Sequence, residues 1–336
     1  MAGQENRGAT RNDVAKLAGV SPAVVSYVIN DGPRHVAPQT RQKVLDAIQK
    51  LHYHPNAAAR ALTTGRSDVV ALVVPTISNP YFSHLAENIE REATEHGLVL
   101  TLGQASTVNI YSVLASFSDH GINDIITCTM PSHEALTLIE QNRMNCVNLS
   151  IPELPVGSAG VLPDYFAGAS MLTRHLIDVH HHQDIALVSG SSYATDGARY
   201  IDQRELGWRS MLESRGLTVR PLILTDWSPE GGRQAARSLV DQYPDVTAVV
   251  VTSDLEAFGV MQGLREKGKR VPDDIAVVAF DATPEGAFMS SPLTSAGVSL
   301  QKLAARSIAQ LLNREDRPRE SLNPELILRQ SCGCNL

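Results

Sequence analysis

The residue types best suited to binding a small molecule follow predicted strands in the larger, second part of this 336-residue chain. Aromatic rings offer apolar faces to a sugar or a base, whereas arginine, aspartate and serine offer orienting hydrogen bonds. Each type also has an ordinary structural use, since a loop-end aspartate often caps a helix. The candidate ligand-binding residues are Tyr81, Phe82, Asp164, Arg204, Trp227, Ser253, Asp254 and Asp281.

Two other groups contain metal-ligand residue types, but neither predicts a site by itself. His180–His182 is a run of histidines between a predicted helix and strand, with no carboxylate or cysteine at ligand spacing. Cys332 and Cys334 form a single C-x-C pair near the end of the chain. We therefore predict no metal and no cofactor.

Motifs for catalysis are absent from the sequence. It contains no phosphate-binding P-loop, no G-x-S-x-G elbow and no H-E-x-x-H pair. No nucleophile and base are paired in a recognisable pattern. We therefore predict that the protein is not an enzyme.

The composition is that of an ordinary globular protein, with 43% hydrophobic and 19% charged residues. No apolar run is long enough to cross a bilayer, and the polar first residues do not resemble a secretory signal. Four cysteines in a chain of this length do not suggest a disulfide scaffold. These features predict a cytoplasmic protein with no membrane partner.

The candidate ligand-binding residues are positioned by alternating strands and helices. From Val69 to about Ser150 the chain alternates short β-branched runs with amphipathic helices, and the same alternation restarts after Pro163. This pattern predicts parallel sheets covered by helices. Two such lobes predict a hinged pair with its ligand in the crevice at the carboxyl ends of the strands.

The beginning of the chain has a different, helical pattern. Thr10 and Asp13 have the spacing of a capping box, and Gly19 ends the first helix because glycine adopts positive φ without steric cost. Ser21 caps a second helix. A third helix follows from Pro38 to about residue 51. The predicted inward-facing residues are Val14, Leu17, Ala18, Val25, Val28, Ile29, Val44, Leu45, Ile48 and Leu51.

Two short helices joined by a glycine turn favour a helix-turn-helix, whose second helix lies in the major groove of DNA. The alternative is an ordinary helical hairpin with a solvated outer face. The predicted DNA-binding residues of the second helix and its cap are Ser21, Pro22, Ala23, Ser26, Tyr27 and Asn30.

A short alanine-rich segment, predicted to be helical at about 56–63, follows the three helices. It is too short to be stable alone in water and is a candidate for folding on binding. Its Leu62, beside Arg60, is suited to wedge between base pairs in the minor groove. A plain linker is the alternative.

Charge is unevenly distributed along the chain. Residues 1–65, called the head, carry eight lysines and arginines against four acids, a net charge of +4, whereas the other 271 residues carry −11. A small basic head on a large acidic body is typical of a nucleic-acid-binding head, because neutralising phosphates drives such binding.

Three stretches resemble the LacI/GalR family of bacterial transcription regulators: DVAKLAGVSPAVVSYVIN (13–30), LHYHPNAAARAL (51–62) and SDVVALVVPTISNPYF (67–82). The resemblance covers nearly the whole chain. It implies base contacts from Pro22, Ala23 and Tyr27, and a minor-groove wedge at Leu62. It also places the eight candidate ligand-binding residues at effector-pocket positions, with Arg204 in an R-x-x-G-[FW] motif.

The fold class predicted from the pattern and the resemblance is an all-α helix-turn-helix head with a hinge helix, followed by a two-lobed α/β body like periplasmic binding proteins. The body spans 66–336. Because the family's chain crosses between lobes three times, we predict lobe one at about 68–163 and 297–325. Lobe two is predicted at about 164–296 and 326–336.

The resemblance implies a dimeric repressor of double-stranded operator DNA, modulated by a small-molecule effector such as a sugar, nucleoside or sugar acid. A solute-binding protein with no role on DNA is the alternative. The basic head and the lack of a signal peptide argue against that alternative.

Overall fold

The computed structural model describes residues 9–29, 34–53, 67–106, 109–149, 159–193, 199–219, 221–315 and 319–335. Contacts divide the chain into two compact units, Met1–Ser67 and Asp68–Leu336, two residues beyond the predicted boundary. The predicted hinge helix at 56–63, with Arg60 and Leu62, lies outside the described residues, and so does Asn30.

The described part of the head contains three helices: α1 (Arg11–Ala18), α2 (Pro22–Ile29) and α3 (Pro38–Leu51). The capping box is present, because Asp13 N–H donates to Thr10 Oγ1 and Thr10 N–H donates to Asp13 Oδ2. Gly19 ends α1 at φ 66°. The first two helices and their turn thus form as their capping residues predict.

The core of the head is built from small and β-branched side chains. Its fully buried members are Val14, Ala15, Val25, Val28, Val44 and Ala47. The prediction that Leu17 and Leu45 belong to the core is wrong, since they are 45% and 44% exposed. The buried positions of α1 and α3 are taken by smaller side chains, namely Val14, Ala15, Val44 and Ala47.

The body contains strands β1 (Val69–Val74), β2 (Val99–Gln104), β3 (Asp124–Thr127), β4 (Asn145–Asn148), β5 (Ala159–Pro163), β6 (Ile185–Gly190), β7 (Ser192–Tyr193), β8 (Arg199–Tyr200), β9 (Leu222–Thr225), β10 (Ala248–Val251), β11 (Ala276–Phe280), β12 (Thr294–Gly297), β13 (Arg319–Leu322) and β14 (Glu325–Ile327). Its helices are α4 (Pro80–Glu95), α5 (Ile110–Asp119), α6 (His133–Gln141), α7 (Tyr165–Asp178), α8 (Gln203–Ser214), α9 (Pro229–Gln242), α10 (Asp254–Glu266) and α11 (Leu300–Leu312). Two 3₁₀ turns lie at Pro284–Phe288 and Gln330–Cys332.

Each lobe is built on one six-stranded sheet. Lobe one has the order β13-β5-β4-β3-β1-β2, with parallel neighbours throughout. Lobe two has the order β14-β12-β11-β10-β6-β9, and among its described strands only β14 is antiparallel to its neighbour. This arrangement agrees with the predicted two-lobed α/β body.

Helices cover both faces of each sheet. In β1, Val70 and Leu72 face one core while Ala71 and Val73 face another, because successive side chains of a strand point to opposite faces. Lobe two has two corresponding cores. Strands buried on both faces explain why β1 and β6 read as continuous apolar runs.

The chain passes between the lobes at three places. It leaves lobe one after β5, which ends at Pro163, and returns after β12, which ends at Gly297. It passes back to lobe two between β13 and β14, which begins at Glu325. Among the described residues, no helix is long and apolar enough to span a membrane.

Candidate functional site

A cavity of about 580 Å³ is lined by residues from both lobes of the body. This volume is typical of sites that enclose a small molecule. The lining residues include those that directly follow strands β1, β3, β9 and β11, beginning at Pro75, Cys128, Asp226 and Asp281. The carboxyl ends of the strands therefore supply the walls of this interlobe cavity, as expected for parallel sheets.

Arg204, in the first turn of α8, is the most strongly held polar side chain of the cavity. Its Nε and Nη2 atoms donate to Asp202 at 2.8 and 2.7 Å, and its Nη1 donates to the carbonyl of Thr252 at 2.9 Å. The guanidinium carbon lies 4.4 Å from the ring centre of Tyr165 and 5.1 Å from that of Trp227. The arginine is thus fixed before any ligand binds.

The pair formed by Arg204 and Asp202 is almost fully buried, with side chains 10% and 15% exposed. Burial alone would lower the pKa of Arg204 and raise that of Asp202. The charge of the partner and the hydrogen bonds between the two groups outweigh burial and shift both pKa values the other way. The pKa of Arg204 is therefore raised and that of Asp202 lowered, so both groups stay charged at neutral pH.

The motif around Arg204 has a packing explanation. A Cβ atom on Gly207 would lie 2.3 Å from the carbonyl oxygen of Phe166, so only glycine lets α8 approach α7 this closely. Trp208 is fully buried, and its Nε1 donates to the carbonyl of Ile185. Gly207 and Trp208 therefore anchor α8 while Arg204 reaches the cavity.

Trp227 forms part of the lobe-two wall with a backbone in the left-handed region, at φ 64°. Its indole lies directly on Gly190, where a Cβ atom would come within 2.0 Å of the ring. Its Nε1 donates to the carbonyl of Ser191 at 3.2 Å. A non-glycine residue at positive φ costs free energy that the surrounding structure must offset, and such residues cluster at ligand sites.

Asp281 directly follows β11 and lines the cavity at φ 105°. Burial, and next the charge of Asp254, raise its pKa well above the ordinary value. Asp254 itself accepts hydrogen bonds from Thr283 N–H, Thr283 Oγ1 and Ser295 Oγ at 2.6–2.9 Å. Burial raises the pKa of Asp254 to about 6. This carboxylate pair resists carrying two negative charges.

A third carboxylate, Glu256, supports the cavity without lining it. It is fully buried and accepts hydrogen bonds from Thr225, Thr252 and Ser253. Burial raises its pKa above the ordinary value. Ser253, which lines the cavity, also caps α10 by accepting from Glu256 N–H.

Lobe one presents aromatic and neutral side chains to the cavity. The rings of Tyr81 and Phe82 pack edge to face with centres 5.3 Å apart. Asn79 caps α4 by accepting from Tyr81 N–H at 3.0 Å. Burial raises the pKa of the lining Cys128 thiol to about 12, so this cysteine is not a nucleophile at neutral pH.

Comparison with known proteins identifies both units. Residues 10–56 match the model for bacterial regulatory proteins of the lacI family, and residues 173–332 match that for a periplasmic binding protein-like domain. The transcriptional repressor PurR of Pasteurella multocida (strain Pm70) is 31% identical over 98% of this chain and 100% of its own length.

The chain belongs to the LacI family. It is a transcriptional regulator with a helix-turn-helix head and an effector-binding body, and its relatives are not enzymes. A lac repressor dimer solved with operator and the anti-inducer ONPF has the same fold, with TM-score 0.83 at 24% identity over 97% of this chain and 99% of that one. The regulator CelR in complex with cellobiose has TM-score 0.68 at 26% identity, covering 96% and 99%.

The structure brings six of the eight predicted effector-binding residues of this LacI-family chain to the cavity. Asp164 and Asp254 are not among the lining residues. Asp164 caps α7 by accepting from Ala167 N–H at 2.8 Å, and Asp254 is fully engaged with Thr283 and Ser295. The lining residues are Tyr81, Phe82, Arg204, Trp227, Ser253 and Asp281.

The predicted DNA-binding face of α2 lies on the surface of the head. Ser21, Pro22 and Ala23 are exposed, whereas Ser26 and Tyr27 are half-buried. Ser21 Oγ accepts from Val24 N–H at 3.4 Å, a long capping bond. The first turn of α2 is therefore the part of the face most accessible to a partner.

Sequence reasoning missed several lining residues. Asp202, Tyr165 and Asp226 all line the cavity, and none was predicted. Asp226 follows β9 directly, so its position at the end of a strand was an available indication. Asp202 was identifiable only through its spacing of two residues from Arg204.

Proposed function

We propose that this protein is a dimeric repressor that binds operator DNA through its head, and that a neutral polyhydroxylated ligand, such as a sugar, binds in the interlobe cavity and changes its affinity for DNA. The observation that carries the proposal is a LacI-type head on the same chain as a preorganised cavity. The cellobiose complex of CelR supports the ligand class by analogy.

The DNA-binding part rests on the chemistry of the head. Its net charge of +4 on an otherwise acidic chain favours phosphate contacts. The proposed base contacts come from Ser21, Pro22, Ala23, Ser26, Tyr27 and Asn30, and the proposed minor-groove contacts from Arg60 and Leu62. A phenol cannot make the bidentate contact that arginine makes to guanine, so Tyr27 favours a different operator from relatives with arginine at that position.

The charge of the cavity supports a neutral ligand. The described lining residues include one arginine and three aspartates, and the arginine is already paired with Asp202. An anionic ligand such as a sugar acid would meet Asp226, with no unpaired cation among the described lining residues. A protonated Asp281 both donates and accepts hydrogen bonds, which suits hydroxyl groups.

The proposed regulation uses the two lobes as a switch. A ligand that contacts both lobes favours the arrangement in which it is enclosed. DNA favours the arrangement in which two hinge segments pair as helices. If the small molecule and DNA prefer different arrangements, each lowers the affinity of the protein for the other. The two affinities fall by the same factor.

The test is fluorescence anisotropy of the purified protein with duplex DNA flanking its own gene. We expect specific binding that weakens steeply between about 50 and 200 mM salt. A thermal-shift screen with neutral sugars, nucleosides and sugar acids identifies the ligand, which is then added to the binding assay. Absence of any specific site under all ligands contradicts the proposal.

A variant separates the DNA contact from the ligand contact. Leu62→Ala should weaken operator binding by about tenfold or more, because it removes the proposed wedge between base pairs. Its affinity for the ligand should match that of the parent protein. Equal operator affinity in the two proteins would exclude the wedge role.

A further inference from the structure

Four metal-ligand side chains from distant parts of the chain meet at one end of lobe two. His175 lies in the last turn of α7, and His180 follows that helix. Cys332 and Cys334 belong to the C-terminal segment, and Cys334 is 154 residues from His180 along the chain. One ligand atom from each of the four lies within 4.8 Å of all the others. These four residues form the His-Cys cluster.

Three distances between ligand atoms describe the geometry of the His-Cys cluster. His175 Nε2 and His180 Nε2 are 3.2 Å apart. Cys334 Sγ is 3.6 Å from His175 Nε2 and 3.5 Å from His180 Nε2. Both imidazoles thus direct the same nitrogen toward each other and toward one sulfur atom.

These distances match the edges of a zinc coordination tetrahedron. With Zn–N bonds of about 2.0–2.1 Å and Zn–S bonds of about 2.3 Å, tetrahedral geometry separates two nitrogens by about 3.3 Å and a nitrogen from a sulfur by about 3.6 Å. Cys332 supplies the fourth ligand atom, which lies within 4.8 Å of the other three. A simple hydrogen bond between the two Nε2 atoms does not explain why a sulfur lies equally close to both.

The surroundings hold the cluster in place. Gly333, between the two cysteines, has φ 103°, and a Cβ atom there would lie 3.1 Å from His180 Nδ1, so glycine lets the C-x-C segment reach the imidazole. Thr294 Oγ1 lies 3.1 Å from Cys332 Sγ and is a hydrogen-bond donor for a thiolate. Cys332 is only 1% exposed.

The neighbouring histidines do not join the cluster. His182 Nδ1 lies 2.9 Å from Thr247 Oγ1, and the His182 ring centre is 6.3 Å from that of His180. His181 is exposed and adopts φ 60°. Two of the three consecutive histidines therefore have other environments, which makes them suitable controls.

We propose that His175, His180, Cys332 and Cys334 bind one Zn²⁺ ion as a structural site. Two neutral imidazoles and two cysteines that each release one proton neutralise the charge of the ion, as a partly buried site requires. Four protein ligands leave no open position for a substrate. The ion would fasten the C-terminal segment to the end of α7, and so brace lobe two at a place separate from the interlobe cavity.

The test measures zinc in the full-length protein purified under reducing conditions without a chelator. We expect about one zinc ion per chain by elemental analysis, as for a closed structural site. Cys334→Ser and His180→Gln should each reduce the zinc content to below about 0.2 ions per chain. His181→Asn changes the adjacent exposed histidine, and asparagine tolerates the positive φ of this position. This variant should keep about one zinc ion per chain.

Two further measurements distinguish metal loss from misfolding. Chelation should expose two additional thiols to a thiol reagent while the far-ultraviolet circular dichroism is unchanged. Cobalt added to the metal-free protein should give the absorption of a tetrahedral, thiolate-bound ion, and Cys334→Ser should weaken its charge-transfer band. Less than about 0.2 zinc in the parent protein, with all thiols reduced and no cobalt spectrum, overturns the proposal.

Discussion

The two sides of the interlobe cavity differ in chemistry. Lobe two supplies every charged residue among the described lining positions, namely Asp202, Arg204, Asp226 and Asp281. Lobe one supplies hydroxyl, amide, thiol and apolar groups, with Tyr81 and Phe82 as its aromatic members. The same parallel α/β architecture therefore carries two different kinds of wall.

The difference indicates a division of labour in ligand binding. The charged side is held by interactions within lobe two, such as the Arg204–Asp202 pair and the placement of Trp227 against Gly190. A site that is already organised loses little entropy when the ligand arrives. Lobe two is thus suited to select and orient the ligand, and lobe one to cover it.

The largest expected effect comes from removing the central cation of lobe two. Arg204→Ala should lower ligand affinity at least about 100-fold and destabilise the body by about 3–5 kcal/mol, because Asp202 would be left buried without its partner. Calorimetric titration and denaturant unfolding measure the two effects. Arg209→Ala on the same helix, whose arginine is 44% exposed, is the matched control and should bind ligand normally. Similar behaviour of both variants would disprove the central role of Arg204.

The second prediction concerns the carboxylates of lobe two and pH. The folded-state pKa of Asp254, about 6, lies above the ordinary aspartate value of 3.8 that applies in the unfolded chain, so the folded protein holds more protons between these values. The free energy of unfolding should therefore fall as pH rises from about 4 to 6, by roughly 2–3 kcal/mol from this group.

Asp254→Asn removes that titration, so the variant should lose less stability than the parent over the same pH range. Urea unfolding at several pH values measures the difference. Asp273→Asn, which alters an exposed aspartate of the same lobe, is the control. Parallel pH profiles of Asp254→Asn and the parent would show that Asp254 titrates as an ordinary surface carboxylate.

A third prediction compares one aromatic residue from each wall. Trp227→Ala should weaken ligand binding by about ten- to a hundredfold, since it removes both a stacking face and the cover over Arg204. Phe82→Ala should cost less than about tenfold, because it removes apolar contact alone. Trp227→Phe should recover most of the affinity. Equal losses from the two alanine variants would mean that the lobes contribute alike.

The smallest expected effect is at a contact that joins the lobes directly. His84 of α4 lies 3.0 Å from Glu285 in the 3₁₀ turn Pro284–Phe288, and both side chains are partly exposed. His84→Gln should change ligand affinity by less than about fivefold, because exposed ion pairs contribute about 1 kcal/mol or less. His96→Gln, confined to lobe one, is the control. A larger change would show that the contact between His84 and Glu285 stabilises the ligand-bound arrangement of the lobes, in addition to the residues that line the cavity.

Much of the fold follows from local patterns. The β-branched run after Asp68 predicts a strand, and the structure has β1 at Val69–Val74. The apolar periodicity predicts a third helix in the head from Pro38 to about Leu51, and α3 has these bounds. Such elements are predictable because their capping residues and periodicity act over a few neighbouring positions.

The short strands at the end of the chain were not predicted individually. β13 and β14 lie at sheet edges and alternate exposed with half-buried residues, so they contain no buried apolar run. Periodicity predicts Leu17 and Leu45 in the core because it identifies a helix face but not the distance to the neighbouring helix. These outcomes depend on packing between elements that are far apart in sequence.

By itself, the sequence determined the family, the two-part organisation and the strand-end loops that surround the cavity, because each depends on residues close together in the chain. Asp164 and Asp202 both cap helices, and only the tertiary structure decided that Asp202 lines the cavity and Asp164 does not. It also decided that two histidines meet two cysteines, although neither pair predicts a metal site alone. The reason is physical, since a site is defined by distances between side chains, and folding sets those distances across segments that the sequence keeps apart.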